Sequence, residues 1–395
     1  MVEEQHRRFY FPSVLECGPG AIKSLPEWLR RWEVSRPLIV TDPGVREAGL
    51  LDRLLKTLEG KDFHPTVFSE IRPNPTDRNV YAGSVHYTEG RCDGLVALGG
   101  GSVIDAAKAI RVLVSHSCQL SDLYAEVGGI ERIRRPMAPL VAVPTTSGTG
   151  SEVSRMALIT DTQQHRKRRI VHPRLIPTLA ILDPELVAPM PPFLTKTTGA
   201  DALVHAVDAY VAPGFDPIAD GIAFEAIRLI VRALPEVVEH PGDLKARMQM
   251  QLAAAMGGLA SHKGGSSTHV LANALTERLS LPHGLASAVV LPYVMLYNLE
   301  AARERYAEIA WAMGVENVGA LTTEEAAYAA VRAIRRLWDR LGLPQSLQEL
   351  GVQVEMIPEL AADAMRDEGT VASPREFTER DLRTLFETAL QPLEL

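Results

Sequence analysis

The sequence predicts an α/β domain built on a parallel sheet over residues 1–186, followed by an all-α domain over residues 187–395. Three observations carry that reading. In the first part, short apolar runs alternate with helical stretches, the pattern that sets parallel strands between layers of helices. From Phe193 onward the apolar residues recur with helical period, as in "GIAFEAIRLIVRALPEVVE", "LKARMQMQLAAAMGGLAS" and "TEEAAYAAVRAIRRLWDRLG". Between the two stands "APMPP" (188–192), whose prolines end the last strand pattern. A cleft between two such domains is a usual place for a small-molecule site.

Bulk composition narrows the function classes. The chain has 395 residues, 46% hydrophobic and 23% charged, which is ordinary for a globular protein. Its net charge of −8 offers no basic footprint for nucleic acid. The run "HRKRR" (165–169) is short and reads as a solvated hairpin with Lys167 turned inward. No apolar run approaches the ~18 residues that a membrane span needs. The start, "MVEEQHRRFYF", has no apolar core of a secretory signal. Cys17, Cys92 and Cys118 lack CxxC spacing, which fits a reducing cytoplasm and argues against a disulfide framework or a thiolate metal site.

Taken in order, four runs in the first part read as strands. "PLIVTD" (37–42) is a buried-strand run ending in Asp42. An acid there can accept hydrogen bonds from an adenosine ribose and repel a 2′-phosphate; equally, it can cap a helix. "DGLVALGGGS" (93–102) is a second strand that opens a helix through "GGGSVID" (99–105). Glycines let the backbone approach a ligand, and amides at a helix start attract a phosphate. The turn does not match G-x-G-x-x-G, and its glycines can also serve turn geometry alone. "APLVAVPTTSGTGSE" (138–152) is a third strand running into threonines and serines, and "TLAILDPEL" (178–186) is the last.

In the helical part, "DALVHAVDAY" (201–210) places Asp201 and His205 four apart, on one helix face. His269 follows on another helix, and His283 at a helix start after "LSLP". One carboxylate and three imidazoles suit Zn²⁺ or Fe²⁺. The alternative is that each is an ordinary polar residue on a wet face.

"GGGSVIDAAKAI", "PTTSGTGSEVS", "GADALVHAVDAY" and "PHGLASAVVLPYVMLYN", in this order, resemble the iron-containing (group III) alcohol dehydrogenases. The resemblance runs from "FYFPSVLECGPGAI" through "RPNPTD" to "SPREFTERDL". It implies a Rossmann-like nucleotide-binding domain and an all-α domain, in the architecture shared with dehydroquinate synthase. It implies hydride transfer between NAD(P)H and a carbonyl on a divalent metal, in a homodimer. Residue by residue, the metal ligands fall on Asp201, His205, His269 and His283. The pyrophosphate loop falls on Gly99, Gly100, Gly101 and Ser102, with Asp105 just inside the helix. Further cofactor contacts fall on Asn74, Thr145, Thr146, Thr149 and Lys167. The position that disfavours NADPH falls on Asp42, which favours NAD over NADP.

Two departures concern the reaction centre. Many relatives carry a second histidine one turn after the third ligand; here it is Asn273, which can hydrogen-bond but cannot shuttle a proton near neutral pH. The segment before His269, small and apolar in many relatives, reads "SHKGGSST" (261–268). His262 stands there as a candidate catalytic residue, with Lys263 and Ser266 as candidate substrate contacts. Arg155 also replaces an uncharged residue. Together they suggest an anionic aldehyde such as phosphonoacetaldehyde or succinic semialdehyde. A general dehydrogenase of neutral short-chain alcohols is the alternative. A dehydroquinate-synthase-like lyase would show no net NAD(P)H turnover, and a non-catalytic nucleotide- or metal-binding protein none on any aldehyde.

Overall fold

The computed structural model describes residues 14–164, 166–264, 267–367 and 373–394. The chain divides into two compact units. The first holds residues 14–16, Ala21–Pro144 and Ser151–Ile181, and the second holds the chain from Leu182 with the short pieces Cys17–Gly20 and Thr145–Gly150, so the strands Leu15–Cys17 and Leu179–Leu182 end at the boundary.

In the first unit the strands are β1 (Leu15–Cys17), β2 (Pro37–Val40), β3 (Thr66–Phe68), β4 (Gly94–Gly99), β5 (Leu140–Pro144), β6 (Met156–Asp161), β7 (Arg166–Val171) and β8 (Leu179–Leu182). Its helices are α1 (Leu25–Arg31), α2 (Pro43–Glu47), α3 (Leu50–Leu58), α4 (Asp77–Glu89) and α5 (Gly101–Ser115). Six strands form one sheet in the order β1-β8-β5-β4-β2-β3. The pairs β2–β3, β2–β4, β4–β5 and β5–β8 are parallel, with Ile39 beside Val96 and Val96 beside Val141. Every residue of β2, β4, β5 and β8 is buried, as expected where helices cover both faces of a parallel sheet. The chain runs outward from β2 to β3, then returns to place β4 on the other side of β2. That reversal is a topological switch point, where ligands bind outside the carboxyl ends of the strands. Thr41 and Asp42 follow β2, and the glycine turn follows β4.

β6 and β7 form a separate antiparallel hairpin in which Lys167 stands opposite Thr160. Residues 166–169 of the basic run thus lie in a strand and are half-buried, while alternate positions of β6 (Ala157, Ile159 and Asp161) pack inward.

The second unit is helical, as its periodicity predicts: α6 (Pro184–Val187), α7 (Pro192–Val211), α8 (Pro217–Glu239), α9 (Leu244–Ala260), α10 (Ser267–Leu279), α11 (His283–Asn298), α12 (Arg303–Ala312), α13 (Thr323–Leu341), α14 (Ile357–Met365) and α15 (Glu379–Ala389). α13 shows how the sequence writes its own ends. Thr322 and Glu325 form a reciprocal capping box at its start, and Gly342 ends it at φ 63°. Between them Trp338 is fully buried and donates its indole N–H to the carbonyl of Ala288 (3.0 Å). α7 is apolar almost all round and buried along most of its length, the signature of a central helix. It packs against α8, α9 and α11. Among the described residues no helix is long and apolar enough to cross a membrane.

Candidate active site

Two places hold the residues singled out by sequence. In the first unit the turn after β4 is backbone-built. Gly100 caps α5, and Gly101 and Ser102 form its first turn, so the amides there are the unsatisfied donors of a helix start. Gly99 has a packing reason of its own. A Cβ on it would stand 2.5 Å from Val103 Cγ2, so only glycine lets α5 fold back onto the end of β4.

The side chains around this turn are occupied. Asp42 caps α2: its Oδ1 accepts from the Val45 amide (2.9 Å). The helix-cap alternative is therefore realised through one oxygen. Asp105 differs from the expectation of a cofactor contact. It accepts from Ser151 Oγ and from the Leu158 amide (3.0 Å), and lies 3.6 Å from Lys108 Nζ. The Lys108 ammonium, fully buried, donates to Ser151 Oγ (2.8 Å) and to the Met156 carbonyl (2.7 Å). These contacts tie α5 to β6, so Asp105 is a brace. Burial pushes the Lys108 amine down to about 8, against the pull of Asp105 and Glu152. Asn74 is exposed, at φ 57° between two prolines. Arg155 is half-buried just before β6, and its carbonyl accepts from the His172 amide.

The loop Thr145–Gly150 belongs to the second unit. Thr145 is buried; Thr146 and Thr149 are half-buried.

The same unit holds the second place. Asp201 and His205 do share a face of α7, with His205 Nδ1 3.9 Å from Asp201 Oδ2. His269, near the start of α10, brings Nε2 to 3.7 Å from Asp201 Oδ1. His283 opens α11 and brings Nε2 to 3.8 Å from the same oxygen. Gly284 permits that approach: a Cβ on it would stand 2.2 Å from the Thr197 carbonyl of α7. The rings of His205 and His269 stack at 4.5 Å, and those of His269 and His283 lie 5.3 Å apart.

These separations are too long for hydrogen bonds and short enough to share an ion. Asp201 Oδ1, His205 Nδ1 and His269 Nε2 are buried without a hydrogen-bond partner. Leaving such groups unsatisfied is costly, and a divalent cation among them removes the cost. Asp201, His205 and His269 each offer a ligand atom within 4.8 Å of the others; His283 stands at the edge of this trio. The donor set of one carboxylate and imidazoles fits Zn²⁺ or Fe²⁺.

In the metal-free protein the charges balance through protons, which a bound cation would displace. Burial pushes the Asp201 carboxyl up, but the imidazoles of His205, His283 and His269 outweigh it and hold the group well below the usual carboxylate range. Burial lowers His269, yet Asp201 and Asp208 raise it to about 10. Burial and the neighbouring His269 lower His205, against the pull of Asp201.

The remaining residues divide. Asn273, one turn beyond His269, donates its amide to Asp367 Oδ2 (2.8 Å), so its NH₂ group is committed. His262 is half-buried in the turn Ser261–Lys263. Lys263 differs from the expectation of an anion contact. Its side chain is fully buried and its ammonium is paired with Asp220, which also takes Arg305 Nη2 (2.8 Å). A buried cation needs such a partner, which removes its charge from any substrate anion. Ser266 lies outside the described residues.

Asp208 was missed by sequence reasoning. It is buried on α7, and its carboxylate faces His269. The signal was present in "DALVHAVDAY", where Asp201, His205 and Asp208 fall at i, i+4 and i+7.

Residues 12–184 match the iron-containing alcohol dehydrogenase family, and residues 195–390 match the C-terminal part of the Fe-containing alcohol dehydrogenase family. The chain is 36% identical to the NAD-dependent methanol dehydrogenase of Bacillus methanolicus, over 97% of this chain and 99% of that one. It resembles the crystal structure of a 1,3-propanediol oxidoreductase with a TM-score of 0.94, at 37% identity over 98% of this chain and 100% of that one. It also resembles the sulfoacetaldehyde reductase of Bifidobacterium kashiwanohense, solved with NAD⁺, with a TM-score of 0.86 at 28% identity over 98% and 99% of the two chains.

Proposed function

This chain belongs to the iron-containing alcohol dehydrogenase family and is an NAD(P)-dependent oxidoreductase of that kind; on that premise we propose that it interconverts a small primary alcohol and its aldehyde, with a divalent metal held by Asp201, His205, His269 and His283. The observation that carries this reading is the group of buried ligand atoms that face one another without hydrogen-bond partners. A metal there supplies Lewis acidity toward the carbonyl oxygen, and the nicotinamide supplies the hydride. Asp201 contributes the negative charge of the ligand set, and the imidazoles contribute neutral donors. The amides of Gly100, Gly101 and Ser102 bind the pyrophosphate, with Gly99 giving the turn its shape. Asn74, Thr145, Thr146, Thr149 and Lys167 hold the rest of the nucleotide. Asp42 keeps one oxygen on the Val45 amide, and its charge at the end of β2 disfavours a 2′-phosphate. Asn273 moves no proton, so the proton reaches the product through water or through His262.

A second reading, that the aldehyde is anionic, is favoured by Arg155 and by the likeness to a sulfoacetaldehyde reductase. Lys263 is paired with Asp220, so the experiment probes Arg155.

One experiment tests both. Steady-state oxidation of NADH and NADPH is followed with the iron- or zinc-loaded enzyme, using phosphonoacetaldehyde, succinic semialdehyde and a neutral aldehyde of similar size. Turnover that needs the metal and prefers NADH is expected. No turnover on any aldehyde overturns the dehydrogenase assignment of this site. A preference in kcat/KM of ~100-fold for an anionic aldehyde, about 2.7 kcal/mol, that is lost in Arg155→Ala supports the second reading. Equal rates reject it.

A further inference from the structure

Asp208 lies seven residues beyond Asp201 and three beyond His205 on α7. Its carboxylate receives the start of α10. Oδ1 accepts from Thr268 Oγ1 (2.8 Å), Oδ2 accepts from the Thr268 amide (3.1 Å), and Oδ2 stands 3.3 Å from His269 Nδ1. The other ring nitrogen, Nε2, faces Asp201 and has no hydrogen-bond partner. An ionised carboxylate only accepts, so the ring hydrogen facing it sits on Nδ1, and a proton given up to a metal leaves from Nε2.

We infer that Asp208 is a positioning residue for the metal centre. It fixes the ring and tautomer of His269 so that Nε2 is the ligand atom, and it ties the first turn of α10 to α7. Histidine ligands are commonly oriented in this way by a carboxylate on the far ring nitrogen. The inference rests on the metal reading proposed above. A plain helix cap would account for the two Thr268 bonds alone, whereas His269 Nδ1 is the contact that a cap does not need.

The test is zinc affinity of the full chain, read by competition with a chelator, alongside the Tm of the metal-free protein. Asp208→Asn keeps the shape and one oxygen for the Thr268 amide, and loses the charge. A 10- to 100-fold weaker zinc affinity is expected, together with a lower metal-free Tm from the lost charge facing His269. Thr268→Val removes only the hydroxyl donor; it lowers Tm and leaves zinc affinity as in the wild type. Wild-type affinity in Asp208→Asn overturns the inference, as does equal weakening in Thr268→Val. Failure of the wild type to bind zinc, or undiminished binding in His269→Ala, overturns the metal reading itself and the role of Asp208 with it.

Discussion

The turn after β4 and the helix α7 carry function in opposite ways. At the turn, the groups offered to a ligand are backbone amides, and the polar side chains nearby are spent on the frame: Asp42 caps α2, and Asp105 is locked to Ser151, Leu158 and Lys108. On α7 the backbone amides and carbonyls are consumed by the helix, and the atoms Asp201 Oδ1, His205 Nδ1 and, facing them, His269 Nε2 are left without hydrogen bonds. A backbone site leaves little mark of unsatisfied polarity, because helix starts always carry free amides. A side-chain site marks itself by breaking the rule that buried polar groups are paired. The two regions should therefore fail differently when mutated.

The largest effect is expected on α7. His205→Ala removes one of three convergent ligand atoms. Loss of the metal forfeits several kcal/mol of charge stabilisation, so kcat/KM should fall by roughly 10³-fold or more. NADH affinity, measured by fluorescence titration, should stay as in the wild type, because the turn after β4 is untouched. A variant that keeps its metal and its rate would remove α7 from the reaction centre.

The turn should break by crowding. Gly99→Ala drives a Cβ into Val103, whose backbone is fixed in the first turn of α5. About 1–3 kcal/mol of stability should be lost in urea unfolding, with weaker NADH binding as the amides shift. Gly221→Ala in α8 is the contrast: its Cβ meets nothing within 4 Å, and the variant should gain roughly 0.5–1 kcal/mol from better helix propensity. If the two glycines respond alike, the turn does not depend on the shape of Gly99.

The same contrast explains what could be read from the sequence. β2, β4, β5 and β8 are apolar runs, and α8, α9 and α13 keep their period, so both halves announced themselves. Asp201 and His205 were legible because one helix sets their spacing. His269 and His283 were candidates by residue type alone, and no spacing joined them to Asp201, since α10 and α11 meet α7 only through tertiary packing. Asp105 and Lys263 were read as ligand contacts because their partners lie far along the chain: Ser151 and Leu158 for one, Asp220 for the other. Spacing reports neighbours within one element and is silent about such pairings. Asp208 was legible by spacing, but its task depends on where Thr268 and His269 arrive.

The last contrast is a pH dependence in the frame of the first unit. Glu152 is buried, and burial pushes its carboxyl up to about 7, against the opposing pull of its own backbone amide and of Lys108. Unfolded, the group titrates near 4.5. Between these values the folded state holds the extra proton, so the contribution of Glu152 to stability falls as pH rises through the window and stays low above pH 7. Glu152→Gln keeps the shape and removes the charge. Its urea midpoint should match the wild type near pH 4.5 and exceed it increasingly up to about pH 7. Lys108 titrates above this window, at about 8, and its amine feels the Glu152 charge, so the comparison is read below pH 7. A difference that is flat with pH would show that Glu152 is as comfortable charged in the fold as in water, and that the frame around Lys108 compensates its burial in full.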